Sequence, residues 1–399
     1  MIGHPAPGHV NPTLPLIAEL CRRGERVTYF ASEPFRARIE ATGATFRPCG
    51  AHELFERNLG CGGILGGMAG LLEAAEEILP DLLDAIRDER PDYLLAEAHA
   101  LWGNLVAQVL DLPAATLCSM FAINEHLLSA ANLMRHLYGP APREAALEGL
   151  GALGDYFETA RRLNRRYAVE CPGIIGYLAN RQRLNIVFTS REFQVGGPVF
   201  DDSYQFVGPS IEGRSDFGDF PVTALGDLPL ILISMGTMYN NEPEFYRACF
   251  AAFGGEPYRV VLAVGHRIDA AQLGPAPENF VVREYVPQPA LLARAQLFIT
   301  HGGINSAHEA MLHGVPMIVL PQRADHHVVA GQVKACGAGL VLDRSRANAA
   351  SLQELAGRVL GDPSFRVNSR RMRQTLRSAG GPSRAADAIF VFKQQAGIH

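Results

Sequence analysis

Arg283-Glu-Tyr-Val-Pro-Gln288, Ile299-Thr-His-Gly-Gly-Ile-Asn-Ser306, Glu309, Pro316-Met-Ile-Val-Leu-Pro-Gln322 and Asp325-His326 decide the fold. In order they read as strand, glycine turn, helix and strand, with the polar residues gathered where strands end. That is the edge at which an open α/β sheet binds ligands. Gly302 and Gly303 let the backbone turn sharply and come close to a ligand. The helix starting at Ile304 faces its free N–H groups and positive dipole end toward whatever sits above the turn. His301, Asn305 and Ser306 add side-chain donors there. Glu309, one turn further on, is placed to accept hydrogen bonds from sugar hydroxyls. A diphosphate suits such a place.

Outward from this segment, short β-rich runs alternate with amphipathic helical stretches, the pattern of parallel βαβ units. Strands are expected at Arg26–Ala31, Thr45–Pro48, Tyr93–Ala96, Ala115–Ser119 and Asn185–Ser190. Helices are expected at Pro12–Arg23, Glu33–Thr42, Glu73–Glu89, Leu101–Asp111 and within Arg143–Glu170. A second series of strands restarts at Pro229 and runs to Leu342. Between the halves, residues 209–227 are rich in Gly, Pro, Ser and Asp and read as a linker. The fold class is α/β, with domains at 1–208 and 228–378 and a last helix in 379–399.

The chain of 399 residues is too long for one ordinary core and suggests two domains of roughly 200 residues each. Its formal net charge of −5 argues against a nucleic-acid binder, which shows a basic excess. No apolar run approaches the roughly 20 residues that span a bilayer, so stable membrane insertion is not expected. The seven cysteines are odd in number and never form a Cys-x-x-Cys pair. They read as reduced thiols of a cytoplasmic protein. Met1-Ile2 leaves almost no first strand, where a buried central strand usually has about five residues. A weakened support beneath residues 8–12 is therefore expected, as if the chain began internally or were trimmed.

In the first half, Gly8-His-Val-Asn-Pro12 follows that short strand and is read as opening a helix, with Pro12 in its first turn. His9 then sits in a strand-to-helix turn at the ligand edge of the sheet, where a neutral imidazole can take a proton from a hydroxyl. Glu97, ending Tyr93-Leu-Leu-Ala-Glu97, is the candidate partner that orients it, with His99 as the rival. In the second half, Ser234-Met-Gly-Thr237 closes a strand, so Gly236 and Thr237 are candidates for an anion-binding turn.

The segment from Tyr285 to Gly339 resembles the donor-binding signature of nucleotide-sugar glycosyltransferases of the GT-B fold. It is most similar to the bacterial macrolide and natural-product glycosyltransferases of the UDP-glycosyltransferase superfamily. The resemblance implies two Rossmann-like domains with parallel sheets facing across a cleft, and a last helix that crosses back to the first domain. Sequence alone would leave that helix in the second. It implies that Tyr285 stacks on the base where the family usually has Trp, and that the backbone at Val286 holds the base. Gln288 and Glu309 would hold the ribose. His301, Gly303, Asn305 and Ser306, with Gly236 and Thr237, would surround the phosphates. Asp325 and His326 stand where an acid followed by Gln usually binds the sugar. Gly8-His9 matches the motif of the catalytic base, and Glu97 stands where the family has an Asp that steadies it. The implied reaction is metal-independent, inverting transfer from a UDP- or dTDP-sugar co-substrate to a hydrophobic acceptor, with no further cofactor. The protein would be a monomer or homodimer.

Trp102, Phe121 and Met134 are the candidate acceptor-binding residues, in apolar stretches that equally well pack a core. Gly60–Gly67 lacks the strand that a dinucleotide fingerprint needs and is read as a loop near the acceptor; Gly149–Gly154 is read as a surface connection. His308 and His313 are five apart, about 140° around a helix, and cannot share a metal as an i, i+4 pair does. No metal site is expected. A nucleotide-sugar epimerase of the same architecture and a non-catalytic helper protein remain open alternatives.

Overall fold

The computed structural model describes residues 1–50, 63–124, 126–127, 143–211, 220, 222–236, 240–268, 270–322 and 324–398. They form two compact units, Met1–Ser210 with Ala379–His399, and Ile211–Ser378. Both are layered α/β structures built on parallel strands.

In the first unit the strands are β1 (Thr28–Ala31), β2 (Thr45–Pro48), β3 (Leu94–Glu97), β4 (Ala114–Cys118), β5 (Leu184–Val187) and β6 (Tyr204–Phe206). β2 pairs with β1, and β3 to β6 pair in sequence order. The gap between β1 and β3 is closed by the first three residues. Ile2 bridges Phe30 on one side and Ala96 on the other. Ile2 N donates to Leu95 O at 2.8 Å and Glu97 N to Ile2 O at 3.0 Å. Phe30 N donates to Met1 O at 2.9 Å and Gly3 N to Phe30 O at 2.9 Å. The expectation of a missing strand is thus corrected: Ile2 is fully buried and pairs on both edges, so a very short segment completes the sheet.

The helices of this unit begin with α1 (Pro7–Val10) and α2 (Leu14–Arg22), where one helix from Pro12 was expected. Pro7, not Pro12, stands in the first turn that needs no N–H. There follow α3 (Arg36–Glu40), α4 (Gly63–Glu89), α5 (Leu101–Leu110), α6 (Arg143–Tyr167) and α7 (Ile174–Ala179). α4 starts well before Glu73, so Gly63 to Gly67 are helical rather than loop; residues 51–62 lie outside the described ones. Gly149–Gly154 lies inside α6, not in a connection. Packing of an amphipathic face outweighs the roughly 1 kcal/mol that each glycine costs a helix.

The second unit holds β7 (Leu230–Ser234), β8 (Arg259–Ala263), β9 (Phe280–Arg283), β10 (Ala295–Thr300), β11 (Met317–Val319) and β12 (Gly339–Val341). Their order is β12-β11-β10-β7-β8-β9. The chain moves outward from β7 through β9, returns to β10 on the other side, and moves outward again. The switch point lies between β7 and β10, where such sheets bind ligands beyond the carboxyl ends of the strands. The helices are α8 (Pro243–Phe253), α9 (Gln288–Leu292), α10 (Ile304–Leu312), α11 (Ala324–Ala335), α12 (Ala349–Gly361) and α13 (Pro363–Ser378).

The last helix, α14 (Gly381–Gln395), belongs to the first unit. It buries Ala385, Ala386, Ile389 and Phe392 with Leu16, Ile17 and Leu20 of α2. Lys393 Nζ donates to Glu25 Oε1 at 2.5 Å, and Arg23 to Asp387 Oδ1 at 2.5 Å. Among the described residues no helix is long and apolar enough to cross a membrane.

Candidate active site and nucleotide-binding residues

Three adjacent strand ends of the first unit bring together a buried carboxylate and a partly exposed imidazole. His9 is the third residue of α1, carried to the sheet edge by the short strand at Ile2. Its Nδ1 lies 2.8 Å from Oε1 of Glu97, the last residue of β3. Glu97 is fully buried. Its Oε2 accepts the backbone N–H of His99 at 2.7 Å, and His99 Nδ1 stands 3.5 Å from Oε1. Both candidate partners therefore meet Glu97, His9 the more closely.

Ser119 completes the cluster. β3 and β4 pair Glu97 with Leu117, so Ser119 follows just past the neighbouring strand end. Its Oγ donates to Glu97 Oε1 at 2.5 Å and lies 2.8 Å from His9 Nδ1. Burial pushes the Glu97 pKa up, but the charges and hydrogen bonds of His9 and His99 outweigh it and hold the carboxyl well below its ordinary value. An ionised Glu97 fixes a proton on His9 Nδ1 and leaves the Nε2 lone pair to accept another.

His4 lies behind His9. Its ring packs edge-on to His9 with centroids 4.5 Å apart and stacks on Trp102 at 6.2 Å. Burial, and then the neighbouring His9, hold the His4 pKa well below its ordinary value, so His4 stays neutral. Trp102 corrects an expectation: it is fully buried in the core under His4 rather than on an acceptor surface. The run Leu101-Trp-Gly-Asn-Leu-Val turns this face of α5 inward. Phe121 is partly exposed, with its ring 5.5 Å from that of buried Phe193. Met134 lies outside the described residues.

In the second unit Gly236, His301, Gly303, Asn305 and Ser306 lie at the switch point, whereas Tyr285 and Val286 follow the edge strand β9. Gly236 follows β7 with a φ of +80°, and His301 follows β10. A side chain at Gly236 would come within 2.6 Å of His301 Cε1, and one at Gly303 within 2.6 Å of its Nε2. The imidazole is thus seated between two glycines, and a Cβ at either would have to displace it. His326 packs edge-on against His301 with centroids 4.7 Å apart. Burial, and then His326, push the His301 pKa down to about 3. His301 is therefore a neutral hydrogen-bonding group rather than a cation. Thr237 lies outside the described residues.

Asn305 and Ser306 occupy the first turn of α10, whose N-cap is Gly303, and both are partly exposed. Gln288 opens α9 and donates through Nε2 to Glu309 Oε2 at 2.6 Å and to Ser306 Oγ at 3.3 Å. Glu309 is 1% exposed, so the pair is held in place before any ligand arrives. Val286 is buried, whereas Tyr285 is 52% exposed. The Tyr285 hydroxyl is 2.9 Å from His266 Nδ1, and the two rings lie nearly parallel at 15°. Asp325 stands in the first turn of α11, with Oδ2 3.6 Å from His326 Nε2.

Sequence reasoning missed Ser119, His4 and His266. Ser119 and His266 each lie one to three residues past a strand end, the same signal that singled out Glu97 and His301. His4 precedes a helix that was placed too late in the chain.

The Erythromycin biosynthesis protein CIII-like, C-terminal domain family matches residues 256–390. The chain is similar to the NDP-glycosyltransferase YjiC of Bacillus subtilis (strain 168), at 35% identity over 100% of this chain and 98% of the relative. It is 33% identical to the demethyllactenocin mycarosyltransferase of Streptomyces fradiae, over 96% of this chain and 84% of the relative. Among solved structures it is similar to CalG4, the calicheamicin glycosyltransferase, with a TM-score of 0.80 and 30% identity over 98% of this chain and 96% of the other.

Proposed function

Because the chain belongs to the natural-product glycosyltransferase family of the GT-B fold, we propose that it moves a sugar from UDP- or dTDP-sugar to a hydroxyl of a hydrophobic natural product, with His9 as general base. That the protein is a glycosyltransferase follows from the family; the base, the stereochemistry and the substrates are the proposal. The mycarosyltransferase among its relatives supports a macrolide or similar polyketide acceptor.

One observation carries the reading: His9 Nδ1 is hydrogen-bonded to the buried carboxylate of Glu97 at 2.8 Å. His9 Nε2 takes the acceptor proton as the acceptor oxygen attacks the anomeric carbon. Glu97, a positioning residue, steadies the imidazolium that forms. The bond from the anomeric carbon to the diphosphate oxygen breaks, and that oxygen keeps the electron pair. Asn305, Ser306, the neutral His301 and the first N–H groups of α10 are suited to receive the developing charge. The proposed step runs through side-chain and backbone groups and needs no cation. A single displacement inverts the anomeric centre.

The test is to incubate the protein with UDP- and dTDP-sugars and a panel of macrolide and phenolic acceptors. Mass spectrometry would identify the product and NMR its anomeric configuration. A β-glycoside from an α-linked donor supports the proposal. A retained configuration, or an altered sugar formed from donor alone, would replace it with another mechanism or with an epimerase.

A further inference from the structure

The residues around the proposed base have a second chemical capacity. One ring nitrogen each of His9 and His99 and a carboxylate oxygen of Glu97 all lie within 4.8 Å of one another. Oε1 of Glu97 is 2.8 Å from His9 Nδ1 and 3.5 Å from His99 Nδ1. A tetrahedral zinc ion with ligand bonds of about 2.0–2.2 Å requires its ligand atoms to be about 3.4 Å apart. The spacings here bracket that value, so side-chain rotations alone can bring two imidazoles and a carboxylate onto one ion. Two nitrogens and one oxygen are a ligand set for zinc or another late first-row cation, and a poor one for magnesium. The acid is anchored from its other oxygen by the His99 backbone N–H at 2.7 Å. An approach from solvent exists, since the His99 side chain is 39% exposed and that of His9 15% exposed. Ser119 Oγ, 2.5 Å from Oε1, holds the carboxylate by a further hydrogen bond.

We propose that His9, Glu97 and His99 form a site for a zinc-class divalent cation, and that its occupancy silences His9 as a base. The first half stands on the geometry alone; the second rests on the general-base reading given above. A cation bound at His9 Nδ1 takes the lone pair of that nitrogen. The ring proton must then reside on Nε2, the atom that has to accept the acceptor proton. The tautomer that serves catalysis and the tautomer that binds the cation exclude each other. The consequence is reversible inhibition, relieved by a chelator, with no change in the donor-binding residues of the other unit.

Equilibrium dialysis of the full chain against zinc chloride, with magnesium chloride as control, reads the site without reference to activity. One zinc ion per chain is expected, with at least tenfold weaker binding in both His99→Ala and Glu97→Gln. Retained folding of each variant is checked by circular dichroism. No zinc binding, or zinc binding undiminished in either variant, would overturn the site. Transfer by the wild type is then followed with and without zinc, and again after adding EDTA. Rates should fall as the site fills and recover on chelation. Zinc bound at the site with transfer unaffected would overturn the silencing. In the same assay His9→Ala separates the two ideas. If that variant transfers as fast as the wild type, the base assignment fails, while the dialysis result still decides the cation site.

Discussion

His9 Nδ1 and Glu97 Oε1 lie 2.8 Å apart although 88 positions separate the two residues in the chain. Only the parallel pairing of Ile2 with Ala96 brings them to the same sheet edge. The relationship is therefore a product of the fold, and the proposed role of His9 as base rests on it.

The length of the Glu97 side chain is part of that geometry. Shortening it to Asp, the residue common in the family, withdraws the carboxylate by about 1.5 Å, a misplacement that costs up to about 100-fold in rate. Glu97→Asp is therefore expected to lower kcat about 10- to 100-fold, and Glu97→Gln by more, because the amide no longer fixes the Nδ1 proton or balances the imidazolium. Steady-state kinetics under saturating donor would check this. Full activity in Glu97→Gln would remove Glu97 from the mechanism.

Ser119 acts on the same oxygen as His9, donating to Glu97 Oε1 at 2.5 Å. As a positioning residue it should matter only while that carboxylate is present. Ser119→Ala alone is expected to reduce kcat several-fold with little change in the donor KM. In a Glu97→Gln background the same substitution should cost much less, a coupling read from a double-mutant cycle. Equal losses in both backgrounds would indicate a merely structural hydroxyl.

Gly236 illustrates how backbone makes room for a proposed binding group. It combines a φ of +80° with a would-be Cβ only 2.6 Å from the His301 ring. Gly236→Ala should both strain the turn, by about 1–2 kcal/mol, and push His301 from its place. Isothermal titration with UDP and dTDP is expected to show at least about tenfold weaker binding, the equivalent of about 1.4 kcal/mol. Unchanged affinity would mean that His301 does not contribute to nucleotide binding.

His308 supplies a pH-dependent prediction that does not involve the His9 cluster. It is 1% exposed in α10, and burial pushes its pKa down to about 3. The unfolded chain takes up a proton near pH 6.5 that the folded chain refuses. The contribution to stability is therefore complete above that pH and lost as pH falls below it. From pH 7 to pH 5 the loss attributable to this group is about 2 kcal/mol, at about 1.4 kcal/mol per pH unit. His308→Gln should remove that share of the acid sensitivity in urea unfolding of the full chain. An identical pH dependence in the two proteins would contradict the assignment.

Much of the second unit was legible because its functional groups sit at strand ends in local runs. Gly302, Gly303 and the helix from Ile304 are consecutive, and their conformations follow from glycine chemistry and helix ends. The first unit was harder to read. The central strand contains too few residues to give a periodic signal, and its existence depends on pairing with β1 and β3. Gly149–Gly154 read as a connection because local propensity opposes the helix that packing stabilises. Trp102 could be assigned to surface or core only once α5 had a facing neighbour. His4 and Ser119 were invisible as site residues since neither belongs to a motif, and both enter through tertiary contact.

The central claim is that His9 is the general base of sugar transfer. The most direct measurement compares His9→Ala with wild type in two assays on the same preparation, product formation with an accepted donor and acceptor, and calorimetric binding of the nucleoside diphosphate. Transfer should fall by at least about 100-fold, within the range for loss of a general base, while nucleotide affinity stays unchanged. A His9→Ala protein that still transfers sugar at the wild-type rate would contradict the account.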